Sequence, residues 1–142
     1  PDDLSVETLV RALKRGVKVR IILPGTRIDS EPVRRASRAR WGDLLEAGAE
    51  IHEYQPTMYH CKVMIVDDLW VSVGSTNFDS RSFRLNDEAN LNIYDRAFAQ
   101  RQVEIFEDDL KKSRQITYAE WRNRPWNEKL LEHTMALLRS QM

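Results

Sequence analysis

A single short stretch of the sequence holds side chains that suit phosphate chemistry. His60 and Lys62 stand two positions apart, and Ser75 and Asn77 have the same spacing further along. A neutral imidazole attacks phosphorus well when its second nitrogen is held as a donor. An ammonium, a hydroxyl and an amide donate hydrogen bonds to phosphate oxygens. These residues therefore predict a site at which a histidine attacks a phosphate ester.

The elements that must position these side chains are two short strands. Residues 59–77 read as a hairpin with a tight turn at residues 67–68. Because side chains alternate between the two faces of a strand, we expect His60 and Lys62 to point the same way. Gly74, at the end of the second strand, lets main chain and small hydroxyls approach a ligand closely. The hairpin thus predicts a pocket for a phosphate oxyanion at one end.

Composition bounds the remaining possibilities. The 142 residues suffice for one ordinary domain, and 22 basic residues balance 22 acidic ones. This neutral balance disfavours a nucleic-acid partner, so none is expected. Cys61 is the single cysteine, which excludes an intrachain disulfide, and its position beside Val63 and Ile65 in the alternation predicts core packing. No apolar run approaches the roughly 18–20 residues that span a bilayer.

Helical and strand patterns alternate along the rest of the chain. This alternation predicts an α/β fold, a mixed β-sheet flanked by helices. The predicted elements are a helix from Asp2 or Asp3 to Gly16, a strand over 17–23, a helix from Ser30 to Gly48, a strand over 49–54, the hairpin, a strand over 88–94, a helix from residue 95 or 96, a capping box at 117–120 and a last helix from about Asn127.

The pattern divides the chain into two parts. Residues 1–113 are predicted to form a catalytic half-domain, and residues 114–142 a helical extension. The first helix and the strand after it suggest a βαβ unit whose first strand would precede Pro1. We therefore expect the chain to be a piece of a longer protein. In the extension, Trp121, Trp126 and a leucine stripe suit either a membrane interface, with Arg122 and Arg124 near head groups, or packing on the domain's own core.

Several polar residues admit two interpretations. Asp67 either bonds the main chain of its own turn or contacts substrate. Arg81 and Arg84 either grip a second phosphate or head group, or pair with nearby aspartates. His52 is predicted to be a surface histidine rather than a catalytic one. Four arginines within the second predicted helix form either an anion-facing surface or a solvated helix face: Arg34, Arg35, Arg38 and Arg40.

The spacing itself carries a family resemblance. His60-x-Lys62-(x4)-Asp67-(x6)-Gly74-Ser75-x-Asn77 resembles the full signature of the phospholipase D superfamily. Residues 54–58, 77–86 and 88–90 resemble the second motif-bearing half of bacterial cardiolipin synthases, and the resemblance extends over nearly the whole chain. No metal or other cofactor is implied, since Lys62, Ser75 and Asn77 neutralise phosphate charge.

The resemblance implies a mechanism and a partner. In such proteins two motif halves meet about a pseudo-twofold axis, one histidine becomes phosphorylated and the other moves protons. Glu88 matches the acidic residue that orients the histidine. A second half, from a missing N-terminal domain or an identical chain, is therefore expected. The implied activity is transfer of a phosphatidyl group to a hydroxyl of phosphatidylglycerol at the membrane of a bacterial cell.

The motif alone leaves other functions open. The same residues support hydrolysis when water is the acceptor, so a homodimeric phosphodiesterase or nuclease is the alternative. A further alternative is a non-catalytic half that contributes only an interface, and the intact motif argues against this alternative.

Overall fold

The protein is described here by a computed structural model covering residues 3–28, 31–79, 82–83 and 85–137. Its helices and strands follow the alternation expected from the sequence. In chain order they are α1 (Asp3–Lys14), β1 (Arg20–Pro24), α2 (Glu31–Arg38), α3 (Trp41–Glu46), β2 (Glu50–Tyr54), β3 (Val63–Val66), β4 (Trp70–Gly74), β5 (Asn90–Tyr94), α4 (Arg96–Lys111), β6 (Ser113–Ile116), α5 (Tyr118–Arg122) and α6 (Trp126–Leu137).

The strands form two three-stranded sheets. The first has the order β1-β2-β6, with β1 parallel and β6 antiparallel to β2. The second has the order β3-β4-β5 and is antiparallel throughout. Helices lie against both sheets, and α4 contacts strands of each. The predicted α/β class, with mixed strand directions and flanking helices, is confirmed.

The main core lies between the first sheet and the helices on one of its faces. Trp41 and Leu44 of α3 are each 1% exposed, and Ile51 of β2 is completely buried. Ile116 of β6 and Val6 of α1, from distant parts of the sequence, belong to the same buried cluster. The burial of these apolar side chains fixes the first sheet as the rigid base of the fold.

The hairpin turn forms as the sequence predicts. Asp67 and Asp68 have φ values of 52° and 51°, and the Leu69 N–H closes the turn onto the Val66 carbonyl at 3.2 Å. Two consecutive positive φ values define a type I′ turn, whose twist matches that of the flanking strands. Aspartate tolerates this conformation better than most residues do. The turn therefore fixes the register of β3 against β4.

Two predicted elements differ from the structure. The expected single helix from Ser30 to Gly48 is two helices, α2 and α3, because the Arg40 N–H bonds the Ser37 carbonyl in a tightened turn that ends α2. The change of direction lets α3 bury Trp41 against the core. The expected capping residue Ser30 lies outside the described residues. The strand expected over 17–23 forms over Arg20–Pro24.

The C-terminal segment is tied to the first sheet. β6 pairs with β2, so the predicted boundary between residues 113 and 114 falls inside a strand. The Trp121 indole N–H donates a 2.7 Å hydrogen bond to the Arg38 carbonyl, and its ring lies against Gly42, where a Cβ would collide with it. Arg124, for which the sequence left open a place near head groups or packing on the domain, is buried with its guanidinium 4.0 Å from the Trp121 ring centroid. No helix among the described residues is long and apolar enough to cross a bilayer.

Candidate active site

His60 and Lys62 lie in the loop that precedes β3, and not within the strand as expected from the sequence. β3 begins at Val63. The Gly74 N–H bonds the Lys62 carbonyl at 3.2 Å, so pairing continues one residue into the loop. Because β4 ends at Gly74, His60 has no strand residue opposite it. Strand alternation therefore does not fix the direction of the imidazole.

A direct contact brings the two motif residues together instead. The Lys62 ammonium donates a 2.9 Å hydrogen bond to the main-chain carbonyl of His60. The imidazole is exposed, and it forms no hydrogen bond or ion pair with the part of the chain that the structure describes. An ammonium has three donors. Lys62 therefore keeps donors for a phosphate oxygen while it holds the main chain of His60.

Glu88 is the centre of a hydroxyl-rich cluster beside this loop. Its Oε1 accepts a 2.7 Å hydrogen bond from the Ser82 hydroxyl and a 3.2 Å bond from the Asn86 amide. Hydrogen bonding from the Ser75 hydroxyl, then from Ser82 and Asn86, lowers the pKa of Glu88, and the Lys62 charge adds to this effect against partial desolvation. Glu88 is therefore held as a carboxylate close to two of the motif's side chains.

The expected bond between Glu88 and His60 does not form among the described residues. The carboxylate bonds Ser82 and Asn86 instead, and Ser75 also contributes. The structure thus joins Glu88 to the motif through Ser75 and Lys62. An orienting role toward the His60 imidazole remains a prediction.

Ser75 is fixed by Ala89, the residue that follows Glu88 and leads into β5. Its N–H donates to the Ala89 carbonyl at 3.1 Å, and its hydroxyl accepts from the Ala89 N–H at 3.1 Å. A Cβ on Gly74 would collide with that same Ala89 carbonyl and with the Asn90 side chain. The close approach of the two strands therefore requires glycine at position 74. It also places the Ser75 hydroxyl at the start of β5.

Ser82 is a site residue that sequence reasoning missed. It is 5% exposed, its N–H donates to the Asp79 carboxylate at 2.9 Å, and its hydroxyl accepts from the Asn77 N–H at 3.1 Å while donating to Glu88. The spacing of Asp79 and Ser82 is that of a helix-capping aspartate and the residue it bonds. That local pattern could have indicated an ordered turn after Asn77.

The other predicted site residues are distributed as follows. The Asn77 side chain is exposed, and its main chain is held by Ser82. Asp67 lies at the far end of the hairpin, about 17 Å from Lys62 at the usual strand rise. Arg81 and Arg84 lie outside the described residues. No group of three or more His, Cys, Asp or Glu side chains that could hold a metal ion occurs within the described part of the chain.

Three expectations about neighbouring residues are wrong. Cys61 is exposed and not in the core. Val63, which shares its predicted face and lies within β3, is itself 42% exposed, so this face at the start of β3 is not part of the core. The His52 side chain is only 13% exposed, since it lies on the sheet face that α4 covers. Arg34 forms a buried ion pair with Glu53 at 2.5 Å and belongs to neither a solvated nor an anion-facing surface.

Comparison with known proteins agrees with this geometry. Residues 1–110 match the family described as the phospholipase D-like domain of cardiolipin synthase. The chain belongs to this family. It is 39% identical over 138 residues to a cardiolipin synthase of Alkalihalophilus pseudofirmus, covering 97% of this chain and 27% of that protein. It is 40% identical to the major cardiolipin synthase ClsA of Bacillus subtilis, covering 97% and 28%. The chain thus spans little more than a quarter of these relatives.

Solved structures give the same fold. Nuc of Salmonella typhimurium, a phospholipase D family member, superposes with a TM-score of 0.70 at 28% identity, over 79% of this chain and 72% of that one. The phosphatidylserine synthase of Haemophilus influenzae Rd KW20 superposes with a TM-score of 0.63 at 20% identity, over 94% and 36%. The second likeness establishes the fold alone.

Proposed function

We propose that this chain is a catalytic half of a cardiolipin synthase-type phosphatidyltransferase. The observation that carries the proposal is the position of Lys62 at one end of the hairpin, where it bonds the main-chain carbonyl of His60 and its charge acts on Glu88, which also interacts with Ser75. The similarity of this chain to curated cardiolipin synthases over 97% of its length supports the same reaction class. The candidate substrate is phosphatidylglycerol, which serves as both donor and acceptor.

In the first step His60 is the candidate nucleophile. An imidazole nitrogen forms a bond to phosphorus of the donor lipid while the bond from phosphorus to the glycerol oxygen breaks. The leaving oxygen takes a proton, and glycerol departs. Lys62 and Asn77 donate to the non-bridging oxygens, where charge accumulates in the transition state. The Ser75 hydroxyl joins them when its one proton turns from Glu88 to the phosphate. The product of this step is a phosphohistidine that carries the phosphatidyl group.

In the second step a hydroxyl of another phosphatidylglycerol attacks the same phosphorus. Its proton goes to the base that earlier served as acid, and the bond from phosphorus to the histidine nitrogen breaks. Cardiolipin results, and the imidazole is regenerated. Glu88, ionised because hydroxyl and amide donors lower its pKa, supplies negative charge beside Lys62. Orientation of His60 by this carboxylate is part of the proposal.

The reaction needs a second histidine, and we propose that a second motif-bearing half supplies it. The second sheet of this chain supports such a partner, because both faces of its strands carry exposed apolar side chains. Leu91 and Tyr94 of β5 are 63% and 78% exposed. Met64 and Val63 of β3 are each 42% exposed. Apolar surface of this extent indicates an interface with another part of the protein.

The lipid substrate places the enzyme at the surface of a bacterial cell membrane. Trp126 and Leu130 on α6 are 77% and 61% exposed, which suits contact with a bilayer or with the remainder of the protein. Residues 1–113 are proposed as the catalytic half and 114–142 as its extension, with β6 joining the two.

A homodimeric phosphodiesterase is the second candidate. The observation in its favour is that this chain alone covers 72% of the Nuc chain at a TM-score of 0.70. In that case two copies of His60 would serve one site, and water would be the acceptor. A nucleic-acid substrate is not expected from the neutral composition.

The test follows headgroup-labelled and acyl-labelled phosphatidylglycerol in vesicles with the complete protein. Transfer predicts labelled cardiolipin and released glycerol. Phosphatidic acid as the main acyl-labelled product would instead support hydrolysis. Cleavage of single-stranded DNA without lipid turnover would support the nuclease alternative and contradict the proposed function. Mass measurement of the isolated chain tests whether two copies associate.

A further inference from the structure

Tyr59, the residue before His60, is joined to the distant helix α4. Its hydroxyl donates a 3.3 Å hydrogen bond to Oδ2 of Asp109, 50 residues further along the chain. The Lys112 ammonium lies 3.7 Å from the other oxygen of the same carboxylate, and the Asp109 side chain is 18% exposed. The Tyr59 ring is stabilised by the Tyr54 ring, with 4.9 Å between centroids. The hydroxyl therefore bonds an oriented, largely buried carboxylate.

Among the described residues, the loop that carries His60 bonds other elements through its main chain near its two ends. At its start, the Gln55 N–H bonds the Lys112 carbonyl at 3.3 Å, and Arg27 donates to the Pro56 carbonyl at 2.6 Å. At its end, the Lys62 carbonyl accepts from Gly74. Between these points the Lys62 ammonium bonds the His60 carbonyl from within the same loop. The bond from the Tyr59 hydroxyl to Asp109 is therefore the attachment nearest to His60 that joins this loop to another element in the described part of the chain.

We propose that the bond from Tyr59 to Asp109 is a positioning contact that sets the place of His60 for attack on phosphorus. Tyr59 acts through its neighbour and touches no substrate. Burial of the ring, followed by the nearby Asp109 charge, raises the pKa of Tyr59 well above its ordinary value. The phenol therefore stays a donor at all working pH values. The contact joins the nucleophile's loop to α4, which packs on both sheets.

The inference rests on the proposed function and extends it to residues outside the motif. A nucleophile must sit near its line of attack, and small displacements cost rate steeply, about a hundredfold for 1 Å. Loss of the hydroxyl leaves the ring, its packing against Tyr54 and the motif residues in place. Loss of the hydroxyl is therefore expected to slow the attack of His60 on phosphorus with little change in substrate binding.

The experiment compares Tyr59→Phe, Asp109→Leu and their combination in the complete protein. Leucine is close to aspartate in shape and has no acceptor for the Tyr59 hydroxyl. Tyr54→Phe is the matched control, since the Tyr54 hydroxyl that it removes forms no hydrogen bond to the described residues. We expect Tyr59→Phe and Asp109→Leu each to lower kcat about tenfold to a hundredfold with KM nearly unchanged. The double variant should be no slower than the slower single one, because both changes remove the same bond.

Hydrogen exchange of residues 57–62 provides a readout independent of lipid turnover. Faster exchange is expected in Tyr59→Phe and Asp109→Leu, and none of this increase in Tyr54→Phe. Unchanged exchange, or faster exchange with an unchanged kcat, would overturn the positioning role. A wild-type protein that forms no cardiolipin would contradict the proposed function, while the exchange comparison would still decide whether this bond holds the loop.

Discussion

The buried hydroxyl of Ser82 donates a 2.7 Å hydrogen bond to the carboxylate of Glu88, six residues later. The same oxygen of Ser82 accepts the N–H of Asn77, the last residue of the motif. A single serine therefore joins Glu88 to the end of the segment that we propose binds phosphate. The charge state of Glu88 and the shape of this segment are coupled through that contact.

Replacement of Ser82 by alanine should raise the pKa of Glu88. The carboxylate loses one of the hydrogen bonds that lower its pKa below 4.5. Because the folded-state pKa is lowered, the stability that Glu88 contributes is fully present above its unfolded pKa and is lost as pH falls through the folded value. In Ser82→Ala this contribution should be smaller, and its loss should be complete at a higher pH. The acid limb of the rate profile, if ionised Glu88 is required, should also move to higher pH.

The check is a titration of Glu88 by carbon NMR, together with the pH dependence of kcat. Ser37→Ala is a suitable control, since that hydroxyl bonds the Trp41 indole on another helix. An acid limb that stays at the same pH in Ser82→Ala would show that Glu88 does not govern it.

Replacement of Lys62 by methionine should slow turnover by about 10²–10³-fold, the usual effect of removing one oriented donor from a transition state. The variant also loses the bond to the His60 carbonyl. Steady-state rates of cardiolipin formation measure the effect, with the exposed Lys18→Met as the charge-matched control. A Lys62→Met protein as fast as that control would exclude Lys62 from phosphate binding.

The turn at Asp67 predicts a difference between two substitutions. Asparagine tolerates positive φ, whereas valine is strained there by about 1–2 kcal/mol. Asp67→Asn should therefore keep both stability and rate near wild type, and Asp67→Val should lower the melting temperature. Thermal denaturation and turnover of the two variants provide the comparison. A stable Asp67→Asn protein without activity would instead indicate a direct catalytic role.

The ion pair between Arg34 and Glu53 predicts a stability effect away from the site. Their side chains are 8% and 3% exposed, so removing either partner leaves a buried charge. Arg34→Met should lower the free energy of unfolding by up to about 3–5 kcal/mol, and Arg114, 3.6 Å from the other Glu53 oxygen, offsets part of this cost. Denaturant titration measures this, and Arg101→Met, which breaks the exposed pair with Glu104, should have little effect. Equal effects of the two changes would contradict the burial argument.

The sequence predicted those features that depend on local chemistry. The turn at residues 67–68 and the capping box from Thr117 to Glu120 form as expected, because each is specified by residues within one turn. Class and order of the elements followed from alternating periodicity in the same way. The helix over 30–48 was one exception, since its break serves the burial of Trp41.

Contacts between distant segments could not be predicted. Arg34 meets Glu53 across 19 residues, and Tyr59 meets Asp109 across 50. No local pattern specifies such partners. The error on Cys61 has a related cause: whether a strand face is buried depends on what packs against it, and Val63 on the same predicted face is itself 42% exposed. At the site the residue types were informative, whereas the connection of Glu88 through Ser75 and Ser82 required coordinates.

We propose that His60 attacks phosphorus in phosphatidyl transfer, and the rate of label transfer from phosphatidylglycerol to cardiolipin measures its contribution. The complete protein and its His60→Ala variant are given labelled phosphatidylglycerol, with Cys61→Ala as the control for a change at the neighbouring exposed position. We expect His60→Ala to form no measurable cardiolipin and Cys61→Ala to retain the wild-type rate. Cardiolipin formation by His60→Ala at the original rate would contradict it.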